Sequence, residues 1–223
     1  MKVQFLMFLC CFNMLLLTAQ ESINQVNESG AREGIWKKEY PNGRIRYQGQ
    51  FKNGKEIGVF KYYSIRSSKH PILIKTFSKE NNLAEVVFYT ENGVIESKGV
   101  MDGKNRVGQW LYYHKDGVTI LSEENYENGV LNGVSKTFYK TGKPTEILYY
   151  KNGKLHGNMQ RFADNGVLID DVNYVDGKLN GLAKFYNLKG ELIYTGMYKN
   201  DEKIGKWEYF NEEETKDKSI LKQ

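Results

Sequence analysis

The chain has 223 residues, with 32 Lys and Arg against 27 Asp and Glu, a formal charge of +5. The two signs alternate along the sequence instead of collecting in basic blocks, which excludes a nucleic-acid footprint. Tyr and Phe number 16 and 11 against three Pro, a composition that excludes a disordered linker.

Residues 1–19, MKVQFLMFLCCFNMLLLTA, join a positive start at Lys2 to an apolar run from Val3 to Leu17 and end on a small residue. That order is expected of an export signal peptide, and the run is shorter than the roughly 20 residues that span a bilayer comfortably. Cys10 and Cys11 both fall inside it, so the expected mature chain has neither a thiol nor a disulfide. A polar spacer occupies residues 20–32.

From residue 33 to 210 the sequence is periodic. Gly133, Gly157, Gly181 and Gly205 are 24 residues apart; Gly129, Gly153 and Gly177 keep the interval, as do Gly142, Gly166 and Gly190. Three glycine series in one phase indicate a linear repeat array. Upstream the phase continues through Gly34, Gly58, Gly93, Gly108 and Gly117, whereas Ala84 replaces the opening glycine of the third unit.

Each unit holds two short runs of strand character separated by Asn-Gly or Asp-Gly, dipeptides that accept the positive φ of hairpin turns. The glycines are read as turn glycines, with structural turns at Gly117, Gly129, Gly142, Gly153, Gly166, Gly177 and Gly190. The expected fold is all-β: an elongated, twisted single antiparallel sheet of serial β-hairpins, about 15 strands along roughly 70 Å. Aromatic side chains keep step with the turns. Phe51, Tyr126, Tyr150, Tyr174 and Tyr198 precede the second turn of their units, with Val100 substituting once, and this row is expected to be the packing spine. Residues 211–223 lose the pattern and are read as a tail or cap, with Glu212 to Glu214 blunting an exposed sheet edge.

Candidate interaction residues are sought where units differ. Trp36, Trp110 and Trp207 each lie two residues after an opening glycine, at a position that elsewhere holds Phe60, Ser135, Met159 or Ala183. Together with Tyr112 they form one candidate surface. The second unit replaces its Asn-Gly turn by Arg66-Ser67-Ser68-Lys69-His70-Pro71, so Arg66, Lys69 and Lys75 form a cationic candidate. The sequence has no His-Glu-x-x-His pattern, phosphate-cradling loop or nucleophile elbow, and no catalytic, metal or cofactor-binding residue is assigned. Asp170 and Asp171, like Glu123 and Glu124, are strand neighbours that should face opposite ways.

Units such as GVSKTFYKTGKPTEILYYKNGKLH and GLAKFYNLKGELIYTGMYKNDEKI resemble the MORN-repeat variant family, whose bacterial members include YwqK-type antitoxin-component-like proteins. The pattern maps onto Gly108, Trp110, Tyr112 and Tyr113, and onto Gly181, Phe185 and Tyr186. The resemblance implies MORN-like serial β-hairpins and a scaffold presenting an extended surface. The expected role is an exported, non-enzymatic scaffold for protein interactions at the cell envelope, periplasmic, outer-envelope-associated or secreted. Two alternatives stand beside it: a module binding cell-envelope glycan or peptidoglycan, and a secreted antitoxin or immunity-like protein. Without a sustained cationic face or an amphipathic helix, stable membrane insertion after signal removal is not expected.

Overall fold

A computed structural model describes residues 22–210; the expected signal segment and the tail lie outside them. Among the described residues there is no helix, only nineteen strands. In chain order they are β1 (Gln25–Val26), β2 (Arg32–Glu39), β3 (Ile45–Lys52), β4 (Lys55–Tyr62), β5 (Leu73–Phe77), β6 (Leu83–Tyr89), β7 (Ile95–Asp102), β8 (Asn105–Tyr113), β9 (Ile120–Glu127) and β10 (Val130–Leu131). The rest are β11 (Gly133–Phe138), β12 (Pro144–Lys151), β13 (Lys154–Leu155), β14 (Gly157–Phe162), β15 (Leu168–Val175), β16 (Lys178–Leu179), β17 (Gly181–Tyr186), β18 (Leu192–Lys199) and β19 (Glu202–Tyr209).

Every pairing is antiparallel and joins rows that follow one another along the chain, so the molecule is an elongated single sheet that does not close into a barrel. β10 and β11 both pair with β9, β13 and β14 with β12, and β16 and β17 with β15; each couple is one row broken at Asn132, His156 or Asn180. With these couples counted once and the short β1 set aside, the array has fifteen rows.

Two kinds of turn alternate. The second turns are tight: at Asn53-Gly54, Asn128-Gly129, Asn152-Gly153 and Asp176-Gly177 both central residues have positive φ, the arrangement that matches strand twist. The first turns are wider, as where Gly142 N donates to Tyr139 O and Tyr139 N to Lys143 O, both at 2.9 Å. The seven glycines assigned to turns have φ between +69° and +90°. Successive second turns are also tied to one another. Gly153 N donates to Leu131 O and Gly177 N to Leu155 O, each at 2.8 Å and each reaching back one unit.

The opening glycines produce a bulge. Lys98 pairs with Leu111 and Val100 with Val107, so Gly99 alone opposes Gly108, Gln109 and Trp110. Gly49 and Gly196 sit in the same way opposite residues 58–60 and 205–207. Positive φ at Gly58, Gly108 and Gly205, between +63° and +65°, makes the extra residues possible. The third unit, with Ala84 in place of glycine, pairs β5 with β6 in regular register.

This corrects the reading of every glycine as a turn residue. At Gly49, Gly99 and Gly196 an added Cβ would fall 2.2–2.5 Å from the nearest ring atom of Phe60, Trp110 or Trp207. The absence of a side chain is what lets each ring lie flat on the neighbouring strand. Eleven residues separate each glycine from its ring, and the same spacing gives the complementary pair Val172 and Ala183, where the strand side chain is larger and the inserted one small. Phe60 and Trp110 are fully buried, Ala183 is 1 % and Val172 3 % exposed. Core volume is thus shared between two strands in a single-layer sheet, at roughly 25 cal/mol for each Å² of apolar surface removed from water.

Candidate interaction surface

The bulges fix which side chains share a face. One face carries Tyr47, Phe51, Phe60, Tyr62 and Phe77, then Phe88, Trp110 and Tyr126, then Phe185, Tyr194, Trp207 and Tyr209, in ring contacts of 4.4–6.5 Å. Tyr150 and Tyr174 continue its edge row, through their registered places opposite Gly133 and Gly157. In the third unit Met101, not Val100, occupies this face, because Met101 pairs with Ala84. The turn there has Gly103 as its first residue rather than its second, which moves the preceding strand by one position. The opposite face presents Lys37, Gln48, Gln109, Glu123, Asn125, Lys136 and Asn173 among exposed aliphatics such as Leu182 and Met197.

Three units carry a built-in cation over their rings. The Arg32 guanidinium lies 5.2 Å from the Trp36 ring and 4.9 Å from Phe51; Arg106 lies 4.7 Å from Trp110; Lys203 Nζ lies 4.1 Å from Trp207. Each cation stands four residues before its tryptophan. Arg106 also donates to the Tyr112 hydroxyl at 2.8 Å and the Tyr126 hydroxyl at 3.2 Å, and Tyr126 donates to Glu124 at 2.5 Å. In the second unit Glu56 takes that place and accepts from the Tyr62 hydroxyl at 3.0 Å. Sequence reading missed both the glycine eleven positions before a ring and the cation four positions before it, although both spacings stand in the sequence.

The structure disperses the first candidate surface. Trp110 is fully buried, so it offers no surface to a ligand, and its indole N–H donates to Val100 O at 3.0 Å. Trp36 and Trp207 are half-buried under their cations, and Tyr112 belongs to the Arg106 network. The cationic candidate is not one patch either. Arg66 is held by Glu91 at 2.8 Å, which also accepts from Ser64 at 2.6 Å. Lys69 is exposed on that loop, whereas Lys75 is strand-borne, on the aromatic face 5.9 Å from the Tyr62 ring. The adjacent acids do separate: Asp170 pairs with Arg161, while Asp171 accepts from Asn158 at 2.6 Å.

Burial, reinforced by the Glu56 carboxylate, pushes the Tyr62 hydroxyl far above its ordinary range. Burial, then the Tyr126 hydrogen bond and Glu124, do the same to Tyr112. A tyrosine whose folded pKa is raised keeps its stabilising effect below the unfolded value and loses it as pH climbs toward the folded one. Stability should therefore hold up to about pH 10 and fall above it. Phenolate absorbance should show these hydroxyls ionising only as β-structure is lost; all 16 tyrosines titrating together with the fold intact would contradict this.

Among the described residues no three His, Cys, Asp or Glu gather into a metal-holding group, and no helix is long and apolar enough to cross a membrane. No curated protein matches the chain. Three segments, residues 32–53, 131–152 and 179–200, match the MORN repeat variant. Each begins two residues before an opening glycine and ends on the Asn of a second turn, and the structure continues that phase through residues 155–176. Over these segments the chain is similar to the MORN repeat variant, which supports a MORN-repeat kinship for the array.

Proposed function

We propose that the chain is a non-enzymatic interaction scaffold that holds a protein partner along its repeats. The observation that carries this is the single-layer sheet, which presents both faces over its whole length with side chains in a constant phase. A side chain recurring once per unit recurs about every 10 Å, the spacing of two strands. Such a surface suits an extended partner better than a small substrate. The scaffold reading is supported by the match of three segments to the MORN repeat variant. In this reading it works in the cell envelope or outside the cell, a placement that rests on the apolar leader, residues 1–19. A reporter fused after residue 20 that stays in the cytoplasm would remove that part of the proposal.

Tyr149 and Tyr150 allow a direct test, because they are adjacent on β12 and face opposite ways. A photo-crosslinker placed at each in turn, in cells that make the full chain, should capture one defined protein from one position and not from the other. Adducts with glycan alone, or no saturable adduct from either face, would contradict the scaffold reading.

A further inference from the structure

The aromatic face changes character in its middle. The flanking units cover their rings with Arg106 and Lys203, but at the same repeat position the three units between them carry Leu131, Leu155 and Leu179. These leucines pair with Tyr126, Tyr150 and Tyr174; Tyr126 still lies under Arg106 at 5.4 Å, so Tyr150 and Tyr174 are the two tyrosines of the row without a cation above them. The same stretch brings Glu124, Glu146 and Asp170 onto this face, at register positions shared with Trp110, Arg161 and Phe185. Arg161 on this face is committed to Asp170, and Arg106 lies over Tyr126, whose hydroxyl donates to Glu124. Among the described residues Glu146 has no ion pair or hydrogen bond, and the hydroxyls of Tyr150 and Tyr174 have no hydrogen bond. Burial raises both hydroxyls, with Glu146 and Glu124 adding to the effect at Tyr150, and Asp201 and Glu146 at Tyr174. Glu146 thus stays an uncompensated carboxylate near the two uncovered tyrosines, within a chain whose formal charge is +5.

We infer that the aromatic face between β9 and β18 binds an extended basic segment of a protein partner, in polyproline II conformation, with Lys or Arg at every third residue. This rests on the scaffold reading and names the partner's chemistry. Arg106 and Lys203 show, within the same molecule, what such a ring row holds: a cation 4.1–5.7 Å from the rings, taking hydroxyl contacts where they are available. The spacing selects the conformation. Successive units are about 9.6 Å apart, two strand spacings, and a polyproline II helix advances about 9.3 Å in three residues, returning each third side chain to the same side. Two successive cations would then meet Tyr150 with Glu146 and Tyr174 beside Asp170, which also holds Arg161, extending the row that Arg106 begins over Tyr126. Carboxylates supply the long-range attraction, and the tyrosine faces supply cation–π contact.

The full chain is titrated at low salt with a fluorescent peptide of four Arg-Pro-Pro triplets and with a block peptide of the same composition. The triplet peptide should bind roughly tenfold more tightly, and added salt should weaken it. Glu146→Gln and Tyr150→Ala should each weaken it roughly fivefold or more, whereas Glu123→Gln, on the other face, should leave it unchanged. Equal affinity for the two peptides, no binding, or no loss with Glu146→Gln overturns the inference. So does a crosslinker at position 150 that joins to residues 211–223 or to a second copy in place of the peptide. Failure here leaves the partner capture from Tyr149 and Tyr150 in cells unaffected, so the two readings fail separately.

Discussion

Replacing Gly99 by valine should destabilise the array by about 3 kcal/mol, yet the double variant with Trp110→Ala should be little less stable than Trp110→Ala alone. The first effect follows from geometry. A Cβ at position 99 falls 2.4 Å from Cδ2 and 2.5 Å from Cε2 of an indole that is fully buried, so neither group can move aside without opening the core. Overpacking of this kind costs about 1–3 kcal/mol, occasionally more. Trp110→Ala empties the largest fully buried side chain, a loss of about 3–5 kcal/mol. The double variant recreates the valine-over-alanine pair that Val172 and Ala183 already form. The two substitutions should therefore couple favourably by roughly 2 kcal/mol or more. Urea unfolding followed by circular dichroism gives the totals, and amide exchange in β7 and β8 shows whether the loss is local, as nearest-neighbour stability in a repeat array requires. Simple additivity of the two changes would refute the size-complementarity rule.

That rule also marks where sequence reading stopped. The period and the turns were legible because positive φ at a tight turn admits few residues, and Asn152-Gly153 or Asp176-Gly177 repeat the requirement every 24 residues. The bulges were not. Each opening glycine adds residues to one strand only, so alternation counted through Gly108 puts side chains on the wrong face. Val100 was assigned to the spine for a related reason: its distance from Gly103 resembled that of Tyr126 from Gly129, but the two turns place glycine differently. Trp110 was a candidate surface residue because its repeat position changes between units, holding Phe60, Ser135, Met159 or Ala183 elsewhere. Its burial comes from Gly99 below, Arg106 above and Tyr126 beside it, three residues from three strand positions. Arg66 and Lys75 were joined by proximity in sequence; a turn folded onto Glu91 and a strand position beneath Tyr62 separate them.

Arg106→Ala should be the most damaging single change outside the buried rings, at about 2–4 kcal/mol. The guanidinium lies 4.7, 5.7 and 5.4 Å from the rings of Trp110, Tyr112 and Tyr126, and donates to both tyrosine hydroxyls. Truncation removes these contacts together. It also leaves the Glu124 carboxylate beside Tyr126, hydrogen-bonded at 2.5 Å, without the cation that balances it. Arg106→Lys should recover part of the loss, since Lys203 sits over Trp207 at 4.1 Å in the last unit. An ammonium cannot present the planar fork that reaches two hydroxyls while lying against an indole, so recovery should be incomplete. Arg106→Leu, the residue type found at 131, 155 and 179, should rank below lysine, because leucine there accompanies Ser135, Met159 and Ala183 and not a tryptophan. Urea midpoints would order the series Arg, Lys, Leu, Ala. Near-ultraviolet circular dichroism would report whether the Trp110 ring keeps its fixed environment. A midpoint for Arg106→Ala equivalent to within about 0.5 kcal/mol of the parent would mean that the cation merely decorates the rings. The flanking units would then give no model for what the uncovered tyrosine row between them binds.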